Sequence, residues 1–220
     1  MMSRRNVVQA IDRGIESANK TYEKWSNGLW LNDSGIESLL VVKIAETIIQ
    51  DKALNLVKGE SLRLETLFRD IEENSKADRR RGRKLNILGG NGRVDITLWR
   101  KDETVAAAIE VKRRWDKLKC RKDLERLAAL ICEYGRPRSG KIEFGVLAVF
   151  VAEKNEEKAQ KKYDTIRTYC KSLTLKDIDM QLDELPTRTF GTLRDLHDLR
   201  NQWWAAWTCG GITITLTTRI

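Results

Sequence analysis

Phe144-Gly145-Val146-Leu147-Ala148-Val149-Phe150-Val151 is a run of eight residues without one polar side chain. A strand with one wet face alternates apolar and polar residues. A run without alternation reads as a central strand covered on both faces. Glu143–Ala152 is therefore expected in the middle of a sheet, with helices packed above and below it.

The remaining periodicities supply the neighbours of that strand. Residues 4–27 read as an amphipathic helix, because Val8, Ile11, Ile15, Ala18, Tyr22 and Trp25 recur at spacings of three and four. Asn27-Gly28 ends it. The expected role of this helix is packing on its own core. A second helix is predicted from Asn32-Asp33-Ser34 to about Asn55, with Leu40, Val41, Ile44, Ala45, Ile48 and Ile49 apolar. Ser61–Phe68 alternates, with Leu62, Leu64, Thr66 and Phe68 on one side, and reads as a strand. Lys76–Lys84 is a charged loop. Leu85–Leu88 and Arg93–Trp99 read as strands around Gly89-Gly90-Asn91-Gly92, which lacks the Lys-Ser/Thr of a phosphate-binding loop and suits a turn. Lys101-Asp102-Glu103 is a second turn, and Val105–Lys112 a further strand.

Beyond it, residues 116–134 form a helix with Leu118, Leu124, Leu127, Ala128 and Ile131 in register, stopped by Gly135 and Pro137. Asn155–Leu173 is another, with Ala159, Tyr163, Ile166 and Tyr169-Cys170 inward. Ile178–Asp183 fits strand or helix. Leu193–Gln202 reads as helical, and Ala205–Thr208 and Ile212–Thr217 as two closing strands around Gly210-Gly211. At 220 residues and 41% hydrophobic content the chain suits one domain with a real core. Residues 1–31 would form its N-terminal helix, 32–152 its core, and 153–220 its closing helices and strands.

Charge and rare residues restrict the chemistry. Lys plus Arg is 41 against 32 Asp plus Glu, a net charge of +9, which favours a polyanionic partner through counterion release. The cysteines, Cys120, Cys132, Cys170 and Cys209, match no zinc spacing and read as reduced thiols, most of them packed inside. The N-terminal segment has no apolar signal run, and no stretch reaches the ~18 apolar residues of a membrane span, so the expected setting is cytoplasmic with no membrane partner. His197 is the only histidine, which removes two-histidine ribonuclease chemistry and multi-histidine metal sites. Carboxylates and lysines must carry any catalysis.

Such groups stand inside the apolar strands. Asp95 lies in Arg93-Val94-Asp95-Ile96-Thr97-Leu98-Trp99, and Glu110 and Lys112 in Val105-Ala106-Ala107-Ala108-Ile109-Glu110-Val111-Lys112. Residues two apart on a strand share a face, so the Cβ atoms of Glu110 and Lys112 are expected ~6–7 Å apart. The turn at Asp102 would pair the two strands antiparallel. By themselves these charges could also be rim residues or a cross-strand ion pair.

An aspartate followed fifteen positions later by Glu-Val-Lys, in the order helix, three strands, helix, strand, resembles the PD-(D/E)XK nuclease superfamily over roughly residues 33–152. Val94 stands where the motif's proline would be. The resemblance implies an α/β fold with a restriction-endonuclease-like αβββαβ core, a mixed central sheet flanked by helices, plus an added N-terminal helix and C-terminal elements. It implies a Mg²⁺-dependent endonuclease acting on DNA, with Mn²⁺ as an alternative ion and RNA an open second substrate. Asp95, Glu110 and Val111 would form the metal set, and Lys112 would assist the nucleophile or stabilise the transition state.

Glu37 is the candidate for the added helix glutamate found in many members. Ser34-Gly35-Ile36-Glu37 is also a capping box, in which Glu37 would bond back to Ser34, and the sequence does not choose. Arg79, Arg80, Arg81, Arg83 and Lys84 precede the site, and Arg113, Arg114 and Lys117 follow it. Together they are the expected DNA-backbone contacts. Trp99 and Trp115 are expected in core or rim packing, and Trp203, Trp204 and Trp207 over the sheet. Cutting both strands at one locus would favour a twofold homodimer. Two rivals keep the fold without the chemistry: a non-catalytic nucleic-acid-binding protein, and a protein-interaction subunit of a larger complex.

Overall fold

A computed structural model describes residues 3–26, 31, 36–54, 56, 59–78, 86–88, 91–153, 155–184, 188–190 and 207–219. In chain order its helices are α1 (Arg4–Trp25), α2 (Glu37–Gln50), α3 (Phe68–Asn74), α4 (Lys117–Tyr134) and α5 (Glu156–Ser172). Its strands are β1 (Ser61–Leu67), β2 (Arg93–Trp99), β3 (Val105–Lys112), β4 (Phe144–Glu153), β5 (Ile178–Glu184), β6 (Arg188–Phe190) and β7 (Trp207–Thr218).

The strands form one mixed sheet in the order β1-β2-β3-β4-β7-β5, with β6 pairing along β7 beyond the end of β5. Among the named strands of the described residues, only β3 and β4 run parallel; the other pairings are antiparallel. A parallel neighbour requires a crossover, and α4 is the helix in that connection. β4 is central, as its composition requires. Val146, Ala148 and Phe150 face a core built with α1 and α2. Leu147, Val149 and Val151 face a second core built with α4 and α5. Each Val, Leu or Phe side chain among them, fully buried, contributes roughly 1.5–3 kcal/mol.

α1 and α2 cross closely because Gly14 has no side chain. A Cβ built there would lie 2.5 Å from the Ile44 Cα. The stripe Val8, Ile11, Ile15 and Ala18 is buried as expected, but Trp25, at the last turn, is 70% exposed.

Several expectations need correction. The second helix starts at Glu37 and ends at Gln50, inside the predicted bounds; Asn32–Gly35 and Asn55 lie outside the described residues. Phe68 opens a short helix rather than ending a strand, and its N–H donates to the Gly92 carbonyl at 3.1 Å. Leu64 is exposed on the edge strand, where Glu65 takes φ 53° and interrupts the alternation. Asn86–Leu88 is a single 3₁₀ turn, not part of a strand. Leu118 is 72% exposed, because it sits seven residues before Glu125 on the polar face of α4.

The two closing strands are one. β7 runs through Gly210-Gly211, which pair with Val151 and Phe150 of β4. The long apolar ladder of β4 holds these glycines extended where a turn was expected. Ile178–Asp183 is resolved as strand β5. Leu193–Gln202, with His197, and Trp203 and Trp204 lie outside the described residues. The four cysteines form no disulfide; three are buried and Cys132 is half-buried. Among the described residues no helix is long and apolar enough to cross a membrane.

Candidate active site

Ile96 pairs with Ile109 in the β2–β3 ladder, so the next antiparallel step sets Asp95 opposite Glu110. Asp95 Oδ2 accepts the Val111 N–H at 2.7 Å, which fixes the carboxylate over β3. Glu110 is only 2% exposed. Lys112 follows on the same face of β3. These charged side chains stand where the start of β2 meets the end of β3, at one end of the sheet.

Two helices bring further charges to it. Glu37, in the first turn of α2, accepts the Arg113 N–H at 3.0 Å and faces Lys112 Nζ at 3.4 Å. Its carboxylate thus spans from α2 to the end of β3. The capping partner Ser34 lies outside the described residues. From α4, Arg126 Nη2 donates to Glu110 Oε1 at 2.9 Å and also to Asp123 Oδ1. Asp123 Oδ2 lies 3.3 Å from Lys112 Nζ, an ion-pair contact without hydrogen-bond alignment. Lys112 Nζ also donates to the Val111 carbonyl at 3.0 Å.

Asp123 and Arg126 are not among the residues expected at the site. A signal existed: Asp123 falls between Cys120 and Leu127 in the buried stripe of α4, and it is 5% exposed. A carboxylate in an apolar helical stripe needs partners. It was hidden among the charged neighbours Arg121, Lys122 and Glu125.

Four carboxylates, Glu37, Asp95, Glu110 and Asp123, therefore meet two cations, Lys112 and Arg126. Burial dominates the proton affinities of the carboxylates, and the surplus of negative charge dominates that of the lysine. Burial, reinforced by the adjacent Asp95, pushes Glu110 up to about 8. Burial also raises Asp95, against the Val111 hydrogen bond and Lys112, which pull it down. Burial alone would lower Lys112, but Asp123, Asp95, Glu37 and Glu110 outweigh it and hold the amine firmly protonated.

These donors bear on whether a divalent ion suits the site. Among the described residues no three Asp, Glu, His or Cys side chains form a ready metal-holding group. Asp95 and Glu110 supply two hard oxygen donors; burial raises the proton affinity of both, and a hard divalent cation bound there would favour their ionised forms. The Val111 carbonyl accepts from Lys112 Nζ, and the Val111 side chain is buried in the opposite core.

The expected DNA contacts divide. Arg79, Arg80, Arg81, Arg83 and Lys84 lie outside the described residues. Arg114 and Lys117 are exposed beside the site, with Lys117 Nζ 5.0 Å from the Tyr169 ring centre. Arg113 is half-buried. Trp99 is core: its Nε1 donates to Thr97 Oγ1 at 2.7 Å, and the Arg63 guanidinium stacks 3.8 Å from its ring centre. Trp115 packs edge-on against Tyr169.

Comparison with protein-family models, with curated proteins and with solved structures finds no match.

Proposed function

We propose that this chain is a divalent-metal-dependent endonuclease with a restriction-endonuclease-like core, hydrolysing phosphodiester bonds in DNA. One observation carries the reading: Glu37, Asp95, Glu110 and Lys112, from three separate elements, converge at one end of the sheet. The order α2, β1, β2, β3, α4, β4, interrupted by α3, supports the reading because it resembles the αβββαβ order expected of such a core.

In this reading Asp95 and Glu110 hold Mg²⁺ or Mn²⁺, with Val111 in the same set. Such an ion polarises the scissile phosphate and lowers the pKa of a bound water. Lys112 stays charged at neutral pH and donates toward the developing negative charge or the attacking water. Glu37 orients Lys112 by its contact at 3.4 Å. Arg113, Arg114 and Lys117 take the phosphate backbone alongside, which positions a duplex without reading its sequence. A twofold dimer would place two such sites on opposite strands.

A second reading has its own support. Glu110 already has Arg126, and Lys112 already has Glu37 and Asp123, so the cluster could serve as an ion-pair network in a non-catalytic binding or interaction subunit. Plasmid, single-stranded DNA and RNA incubated with Mg²⁺, Mn²⁺ or EDTA separate the two. The nuclease cuts DNA only with the ion; the second reading gives binding or association with no cutting under any condition.

A further inference from the structure

We infer that Arg126 is a built-in counter-ion of the site, holding Glu110 until a divalent cation does and then remaining with Asp123. The inference rests on the metal reading above and goes beyond it to a residue on α4.

Arg126 is bound in an unusual way for a guanidinium at a buried carboxylate. Such pairs are commonly bidentate, using two parallel N–H donors. Here both hydrogen bonds leave from one nitrogen, Nη2, to Glu110 Oε1 and to Asp123 Oδ1. Its Nε is buried with no hydrogen-bond partner among the described residues. The guanidinium carbon lies 5.9 Å from the Phe68 ring centre, at the limit of a useful cation–π contact. The side chain keeps more than a quarter of its exposure, whereas Glu110 beneath it is nearly sealed. A residue serving only to brace the fold would use its fork more fully.

The two links of Arg126 differ in kind. Asp123 precedes it by three residues on the same helix, so that pair survives any shift between α4 and the sheet. The Glu110 link alone crosses from α4 to β3. A guanidinium and a hard divalent cation compete for the Glu110 carboxylate. When Arg126 yields, Asp123 still neutralises it, and Asp123 also touches Lys112 through its other oxygen. Arg126 thus lowers the apparent metal affinity by the work of displacing it.

The test is calorimetric titration of Mn²⁺ into the full chain at fixed pH and salt, using wild type, Arg126→Met, Arg126→Lys and Asp95→Asn. Melting is followed in EDTA and in Mn²⁺. Arg126→Met should bind Mn²⁺ about tenfold tighter, the scale of one charge-assisted hydrogen bond. It should melt lower than wild type in EDTA and gain more from Mn²⁺. Arg126→Lys keeps the charge without the fork and should fall between; if Arg126→Met does not fold in EDTA, Arg126→Lys against wild type carries the comparison. Equal or weaker binding by the Arg126 variants, with Asp95→Asn still abolishing it, overturns the counter-ion role and leaves the metal reading standing. Binding indifferent to Asp95, or absent in wild type, overturns both.

Discussion

Asp95 Oδ2 accepts the backbone N–H of Val111 at 2.7 Å. That bond ties the carboxylate of β2 to the residue between Glu110 and Lys112, and so sets all three charged side chains in one frame. The positions are held by backbone pairing rather than by long flexible side chains, which is the preorganisation that electrostatic catalysis requires.

Glu37 separates a site role from a capping role. Its contacts are to Lys112 and Arg113, and its side chain is 44% exposed. Glu37→Gln should lower the unfolding free energy by less than about 1 kcal/mol, as for other exposed pairs, while lowering the cleavage rate about tenfold or more. Denaturant melts beside initial rates check this. Destabilisation with full activity would return Glu37 to the helix cap.

Stability should fall with pH in the absence of metal. Glu110 rises from 4.5 in the unfolded chain to about 8 in the folded protein, through burial and then Asp95. A raised carboxyl keeps its proton in the fold while the unfolded chain loses it. Its contribution is complete below about pH 4.5 and is lost as pH climbs through about 8, at up to about 1.4 kcal/mol per unit for one proton. Asp95 shifts in the same direction. Denaturation in EDTA from pH 5 to 8 should show the decline, and Glu110→Gln should flatten it. A wild-type profile rising over that range would contradict the raised proton affinity.

Thr97 links the sheet's interior hydrogen bonds. Its Oγ1 accepts from Trp99 Nε1 and pairs with Thr66 Oγ1, both at 2.7 Å. Thr97→Val keeps the shape and strands a buried indole N–H. The expected loss is about 1–3 kcal/mol by denaturant melts, whereas Thr66→Val, which leaves the indole paired, should cost less.

Gly14→Ala should be costly despite the better helix propensity of alanine. The new Cβ meets Ile44 Cα at 2.5 Å, and overpacking of this kind costs typically 1–3 kcal/mol. A neutral or stabilising effect would mean that α1 and α2 can separate without penalty.

What the sequence made legible follows from how local each signal is. β4 could be read from its composition because burial on both faces leaves no polar position. Asp95, Glu110 and Lys112 could be placed because strand alternation and one short turn decide their faces. Glu37 was found as a candidate, but its alternative as a cap was equally local, and only the approach of α2 to the end of β3 brings it to Lys112. Asp123 and Arg126 stand three apart on α4 and are legible as a helical pair, but their further partners Lys112 and Glu110 lie on β3, out of reach of helical periodicity. Gly210-Gly211 was misread as a turn because the ladder that keeps it extended belongs to β4, some sixty residues earlier. Leu118 and Trp25 fit the apolar spacing of their helices, yet both stand on solvent faces.

The most direct measurement is single-turnover cleavage of plasmid DNA in Mg²⁺ and in EDTA, by wild type, Asp95→Asn and Lys112→Met. A metal-dependent nuclease using this site cuts only with the ion, and each substitution lowers the rate about a hundredfold or more while the fold stays intact by circular dichroism. Equal cutting by all three proteins, or cutting by wild type undiminished in EDTA, would contradict it.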